Sequence, residues 1–327
     1  MTTVREAVSA LVEQVGRVVV GKDAAVEALL GALLVEGHVL LDDVPGVGKT
    51  TLARAVSRSL DLDFRRIQCT PDLVPSDITG VSVYDQRTGA FEYRPGPLLT
   101  NVVLVDEINR ATPRAQSALL EAMQERQVTV DERTHQLPEP FFLVATQNPI
   151  ELEGTFPLPE AQLDRFLVLL NLGYPTVDEE DEILRRHGPA RLSTDDLEPI
   201  FDRTALAALS TEVRAVRVGA AVRRYIVELV QATRKAEGVD LGASPRAALA
   251  LFRASQAAAA IRGRDYVLPD DVKAQASPVL RHRLFLDADA HMRGRTTENV
   301  VNELLARVPV PAEIGAEPAG ARAVPAR

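Results

Sequence analysis

Apolar residues recur along the first part of the chain with two different periods, and the switch between them marks out the elements. Val4, Val8, Leu11, Val12 and Val15, and then Val26, Leu29, Leu30, Leu33 and Leu34, stand at helical spacing. They predict helices over residues 4–15 and 23–35, parted by Gly21 and Lys22. From His38 to Leu41 the run shortens to strand length. A turn with Pro45, Gly46 and Gly48 follows, and a helix pattern begins at Lys49 and Thr50. Phe64 to Cys69 reads as a second strand and Asp72 to Gly80 as a broken helix. VSVYDQRTGAFEYRPGPL alternates on both sides of a turn containing Gly89, the signature of a β-hairpin.

Asn101 to Ile108 (NVVLVDEI) and Phe141 to Thr146 (FFLVAT) are continuous apolar runs, which suit strands buried on both faces of a parallel sheet. Between them lie a helix from Pro113 to Arg126 and a second, polar-tipped hairpin over Gln127 to Leu137. A loop with Pro149, Pro157 and Pro159 leads to a last strand, Arg165 to Leu172. Strands alternating with helices predict an α/β fold with a mostly parallel central sheet. Ligands bind such sheets at the carboxyl ends of the strands. Gly173, Tyr174 and Pro175 read as a linker, and Thr176 with Glu179 forms a capping box. From there to residue 309 the pattern is helical and alanine-rich. The expected organisation is an α/β domain over 1–174, an all-α domain over 175–309 and a disordered tail over 310–327, where Ala, Pro and Gly dominate.

Composition narrows the field. The chain has 327 residues, 46% hydrophobic and 25% charged, as a soluble globular protein of about two domains does. Its single cysteine, Cys69, excludes an internal disulfide, fits a reducing cytoplasm and reads as a core-packing residue. No run of apolar residues is long enough for a membrane span, and MTTVREAVSA has neither the basic start nor the apolar stretch of a signal peptide. A net charge of −9, a pI near 5.2 and only four lysines argue against a surface built for nucleic acid. The five histidines show no metal-ligand spacing, and no Gly-x-Ser-x-Gly or Cys/His arrangement suggests acyl chemistry.

The chemistry concentrates in two places. In DDVPGVGKTT, glycines let backbone N–H groups curl around a polyphosphate and the following helix points its positive end at the same anion. Lys49 would reach the β- and γ-phosphates and the Thr50 hydroxyl would ligate magnesium. The general pattern opens with glycine where this chain has Asp43. Aspartate tolerates left-handed backbone better than most residues, so the loop is expected to close, with Asp42 and Asp43 turned away from the phosphates. Asp106 and Glu107 end a buried strand, where the first acid can hold magnesium through water and the second can polarise an attacking water. Helix-start charge is the competing reading.

Asn148, after the next strand, could position the same water, although Asn before Pro is also a turn signal. Arg165 reads either as an ion-pair partner of Asp164 or Glu160, or as an arginine finger supplied in trans. Arg246 follows Ser244 and Pro245, an N-cap and first helical residue. The helix dipole disfavours a cation there, and a bound phosphate or a neighbouring acid would offset that.

These residues resemble an AAA+ ATPase of the MoxR family. The resemblance rests on DDVPGVGKTTLARA (42–55), VLVDEINRA (103–111), PRAQSALLEAMQE (113–125), ATQNP (145–149), GTFPLPEAQLDRF (154–166) and SPRA (244–247), and covers residues 5–308. The two hairpins match insertions that the family shares with magnesium-chelatase and MCM ATPases. The resemblance implies a Walker A loop, with Pro45, Gly46, Val47, Gly48, Lys49, Thr50 and Thr51 around ATP and Thr50 at Mg2+. It also implies Walker B at Asp106 and Glu107, sensor 1 at Asn148, the arginine finger at Arg165 and sensor 2 at Arg246 on a helical lid. It further implies a ring, commonly a hexamer. The implied work is chaperone-like remodelling, activation or metal insertion in client protein complexes, often beside a von Willebrand factor A domain partner. Two alternatives stand beside it: an MCM-like nucleic-acid motor, and a nucleotide-gated scaffold that does not hydrolyse ATP.

Overall fold

A computed structural model describes residues 3–148, 154–186 and 192–311. The expected tail beyond Pro311, together with Pro149 and His187, lies outside the described residues. The chain divides into two compact units, Met1–Val213 and Arg214–Arg327.

The first unit opens with α1 (Val4–Gly16), capped by a reciprocal box between Thr3 and Glu6, and α2 (Asp23–Leu34). There follow β1 (Val39–Asp42), α3 (Lys49–Ser59), β2 (Phe64–Gln68) and the short α4 (Pro75–Thr79). The first hairpin is β3 (Gly80–Asp85) with β4 (Ala90–Pro95). After β5 (Val102–Asp106), α5 (Pro113–Glu125) starts on Pro113 behind the Thr112 cap. The second hairpin, β6 (Gln127–Val130) with β7 (Arg133–Gln136), turns through Asp131 and Glu132, both at positive φ, as a two-residue type I′ turn requires. Then come β8 (Phe142–Gln147), α6 (Glu160–Leu163) and β9 (Val168–Leu170). α7 (Val177–Arg186) and α8 (Arg203–Ala215) follow, and the unit's boundary at Val213 falls two residues before the end of α8.

The five long-range strands form one parallel sheet in the order β2-β5-β8-β1-β9. Every residue of β5 and all but the last of β8 are buried, as their unbroken apolar runs predict. Alternate residues serve opposite faces: Leu40, Val103, Val105, Leu143 and Ala145 share one cluster with Leu119, Leu120 and Met123 of α5. Cys69 belongs to that cluster and is 0% exposed. Burial and the nearby Asp106 and Glu107 push its thiol up to about 12, so it is a packing residue and not a nucleophile.

The pattern changes at Gly173, whereas the compact units divide forty residues later. The intervening segment is bonded into the first unit. Arg186 donates to the Gly16 carbonyl (2.6 Å), Ile200 N–H to Ser59 (2.8 Å) and Arg54 pairs with Asp195 (2.7 Å).

In the second unit, α9 (Ala220–Thr233), α10 (Pro245–Ile261), α11 (Pro269–Leu280), α12 (Ala288–Met292) and α13 (Thr297–Arg307) surround a buried alanine face of α10, from Ala247 to Ala260. The fully buried Asp271 accepts from Arg262 and from both Nη atoms of Arg264 (2.6 Å each). One antiparallel pair, β10 (Val239–Leu241) with β11 (Phe285–Leu286), was not expected. Strands this short carry no alternation to read.

Candidate active site

Three strand ends build the site, and sheet order explains why three sequence-distant motifs meet. β8 lies between β1 and β5, so the residues that follow β1, β5 and β8 project from one edge of the sheet. The loop after β1 turns on Gly46 and Gly48, at φ +88° and +89°, a backbone region that L side chains rarely adopt. A Cβ at either position would meet no other atom within 4 Å, so an open cradle lies beside the loop. The cap residue of α3 is Gly48 itself, with no side chain bonded to the first-turn amides. Those N–H groups, the helix dipole and Lys49, Thr50 and Thr51 in the first turn form a site suited to polyphosphate. Lys49 Nζ donates to the Asp43 carbonyl at 2.7 Å, which lays its side chain back along the loop.

Asp43 behaves as expected in direction and differently in cause. Its carboxylate is turned away from the cradle and accepts from Leu172 N–H (2.6 Å) and Gly173 N–H (3.0 Å). Asp43 has no left-handed backbone, unlike the two glycines, so the loop does not call on aspartate's tolerance of that conformation. The residue is an anchor between the start of the loop and the exit of β9. Lys22 completes it from the other side, donating to the Leu172 and Gly173 carbonyls (2.9 and 3.3 Å).

At the end of β5, Asp106 is 6% exposed and receives hydrogen bonds on both oxygens. Oδ1 accepts from Thr146 Oγ1 (3.0 Å), and Oδ2 accepts from Arg66 Nε (2.7 Å) and faces Thr50 Oγ1 at 3.4 Å. A hydroxyl and a carboxylate converging in this way are oxygen donors of the kind magnesium takes, so the residues fit the metal the motif implies. Glu107 adopts a left-handed conformation (φ 55°, ψ 52°), held by its N–H donating to Thr146 Oγ1 (2.9 Å). Its Oε2 accepts from Gln68 Nε2 (3.0 Å) and Arg110 Nη1 (3.2 Å). Glu107 therefore starts only a single 3-10 turn, Ile108–Arg110, and the helix-start reading has α5 seven residues beyond Asp106.

Asn148 directly follows β8 and is 5% exposed, one register step beyond the Asp42 and Gln147 pair. Arg165 lies between α6 and β9. Its Nη1 donates to the Leu120 carbonyl of α5 (2.7 Å), which ties the side chain to the first unit's core layer. Arg246 belongs to the second unit. Ser244 caps α10 by accepting from Arg246 N–H (3.1 Å), and Pro245 is the first helical residue, so the exposed Arg246 stands in the first turn as the sequence predicts.

Four partners of the acidic pair escaped the sequence reading: Arg66, Gln68, Arg110 and Thr146. The available signal was FRRIQ, in which Arg66 and Gln68 alternate onto one face of β2. Gln68 pairs in register with Asp106 across the ladder.

Comparison with known proteins agrees with this geometry. Residues 38–168 match the model of the ATPase family associated with various cellular activities (AAA), and residues 231–304 match an AAA lid domain. The chain is 44% identical over 321 residues to Chaperone MoxR1 of Mycobacterium tuberculosis, covering 95% of this chain and 84% of that one. It is 34% identical over 319 residues to Protein MoxR of Paracoccus denitrificans, covering 90% and 94%. A crystal structure from Cytophaga hutchinsonii, provisionally named an ATPase, superimposes with a TM-score of 0.88 at 40% identity, covering 94% and 96%. With the loop, the acidic strand end and the lid all matched in order, this chain belongs to the MoxR family of AAA+ ATPases.

Proposed function

We propose that the protein hydrolyses ATP with Mg2+ and uses the cycle, as a ring of identical subunits, to remodel or activate client protein complexes. The observation that carries this reading is the convergence of Thr50 Oγ1 on Asp106 Oδ2 at 3.4 Å, with Glu107 as the adjoining residue. In this reading the loop amides from Pro45 through Gly46, Val47 and Gly48, with Lys49 and Thr51, hold the triphosphate. Thr50 and Asp106 hold the metal, which when bound neutralises charge on the phosphate oxygens. Glu107 accepts the proton of the attacking water and Asn148 orients that water. Arg165 serves a neighbouring copy of the chain and Arg246 reaches phosphate from the first turn of α10, each countering negative charge.

The proposal includes, from the family resemblance, a hexamer, a von Willebrand factor A domain partner and metal insertion as one client reaction, and, from the single cysteine, a cytoplasmic setting. The buried free thiol of Cys69 is compatible with the last, and among the described residues no helix is long and apolar enough to cross a membrane. The test measures ATP turnover and nucleotide affinity separately. Lys49→Ala is expected to lose both, and Glu107→Gln to lose turnover while still binding ATP. Full hydrolysis by either variant would remove the mechanism.

A further inference from the structure

Asp106 Oδ2 already has a cationic partner where the proposed metal would bind. It faces Thr50 Oγ1, it accepts from Arg66 Nε (2.7 Å), and Arg66 Nη2 stands at ion-pair distance from it (2.7 Å). While Oδ2 is engaged by the guanidinium, less of its lone-pair capacity is free for a divalent cation, or a water bound to one, beside Thr50. Arg66 comes from β2, an edge strand of the sheet, and its side chain is 49% exposed, so it can leave without opening the core.

Its second contact extends the effect. Arg66 Nη2 donates to Gln68 Oε1 (2.8 Å), which fixes the amide so that Nε2 faces Glu107 Oε2 (3.0 Å). One arginine is thus bonded to the metal-binding acid and, through one amide, to the water-polarising acid.

We propose that Arg66 is a positioning residue that competes with Mg2+ for Asp106, so that a divalent cation enters only by displacing the guanidinium. Displacement removes the contact that orients Gln68 and so loosens its hold on Glu107. The metal-loaded state and the released acid are coupled through β2. This inference rests on the nucleotide-and-metal reading above.

The experiment is a binding cycle with a fluorescent ATP analogue, in which affinity is measured in EDTA and in saturating Mg2+. The ratio of the two dissociation constants reports how strongly the metal supports nucleotide binding. Loss of a half-exposed ion pair of about 1 kcal/mol corresponds to about fivefold in an equilibrium constant. The ratio is therefore expected to rise about fivefold in Arg66→Gln and in Arg66→Met, which keeps the apolar stem. Arg66→Lys keeps a cation against Asp106 and is expected to stay near the wild-type ratio. An unchanged ratio in both neutral variants overturns the role of Arg66 while leaving the site intact. A wild-type chain that binds the analogue under neither condition overturns the nucleotide reading instead.

Discussion

Asp43 offers a prediction whose sign separates two views of the phosphate loop. If it were a tolerated departure from a glycine pattern, Asp43→Gly would restore the pattern and be neutral or stabilising. The structure argues the reverse. The carboxylate is 6% exposed and accepts two backbone N–H groups, at 2.6 and 3.0 Å, from residues some 130 positions away in the chain. Hydrogen bonds to a charged acceptor contribute about 1.5–3 kcal/mol each, and glycine adds backbone freedom to the unfolded chain at about 0.5–1 kcal/mol. Against this stands the desolvation of a buried carboxylate, which takes back part of the gain. The net expectation is a loss of about 2–4 kcal/mol for Asp43→Gly, or about 4–16 °C in the midpoint of a unit of this size. Asp43→Asn keeps one acceptor oxygen and is expected to fall between. Thermal and urea unfolding followed by far-ultraviolet circular dichroism would measure both variants. An Asp43→Gly chain as stable as wild type, or more so, would refute the anchor.

Two further predictions concern groups beneath the site. His38 is buried between β8 and α5, with Nδ1 accepting from Leu143 N–H (3.1 Å) and Nε2 3.2 Å from the Met123 carbonyl, so the neutral Nε2–H form satisfies both contacts. Burial, with a smaller contribution from Arg126, lowers its pKa to about 4, against about 6.5 in the unfolded chain. Between those values the unfolded state binds the extra proton. The contribution is therefore complete above about pH 6.5 and declines by about 1.4 kcal/mol per pH unit toward pH 4, about 3 kcal/mol in all. Unfolding free energies of wild type and His38→Gln should converge on acidification, and parallel curves would contradict the assignment. Thr146, fully buried, accepts from Glu107 N–H and donates to Asp106. Thr146→Val is expected to lower stability by about 1–3 kcal/mol, with Thr146→Ser restoring most of it in the same unfolding assay.

The sheet was legible because its central strands are buried on both faces, and β5 and β8 therefore read as unbroken apolar runs. The loop and acidic pair were legible because Gly46, Gly48, Lys49 and Thr50, and then Asp106 and Glu107, stand together within short stretches of chain. The partners of those residues were not. Arg66 and Gln68 act through the register of β2 on β5, and Thr146 through β8 lying beside β5. The purpose of Asp43 depends on Leu172 and Gly173, and the Arg165 anchor on Leu120, contacts that no local pattern records. Nor does a change of periodicity reveal that α7 and α8 remain bonded to the sheet-bearing unit.

Glu107 sits in a backbone conformation that favours glycine or asparagine over a long side chain, by roughly 1 kcal/mol. Evolution in a tube would expose that conflict. A library randomised at this codon and sorted only for survival of heating should drift toward glycine. The same library sorted for phosphate release is expected to return glutamate, the carboxylate that the proposed hydrolysis requires at this strained position.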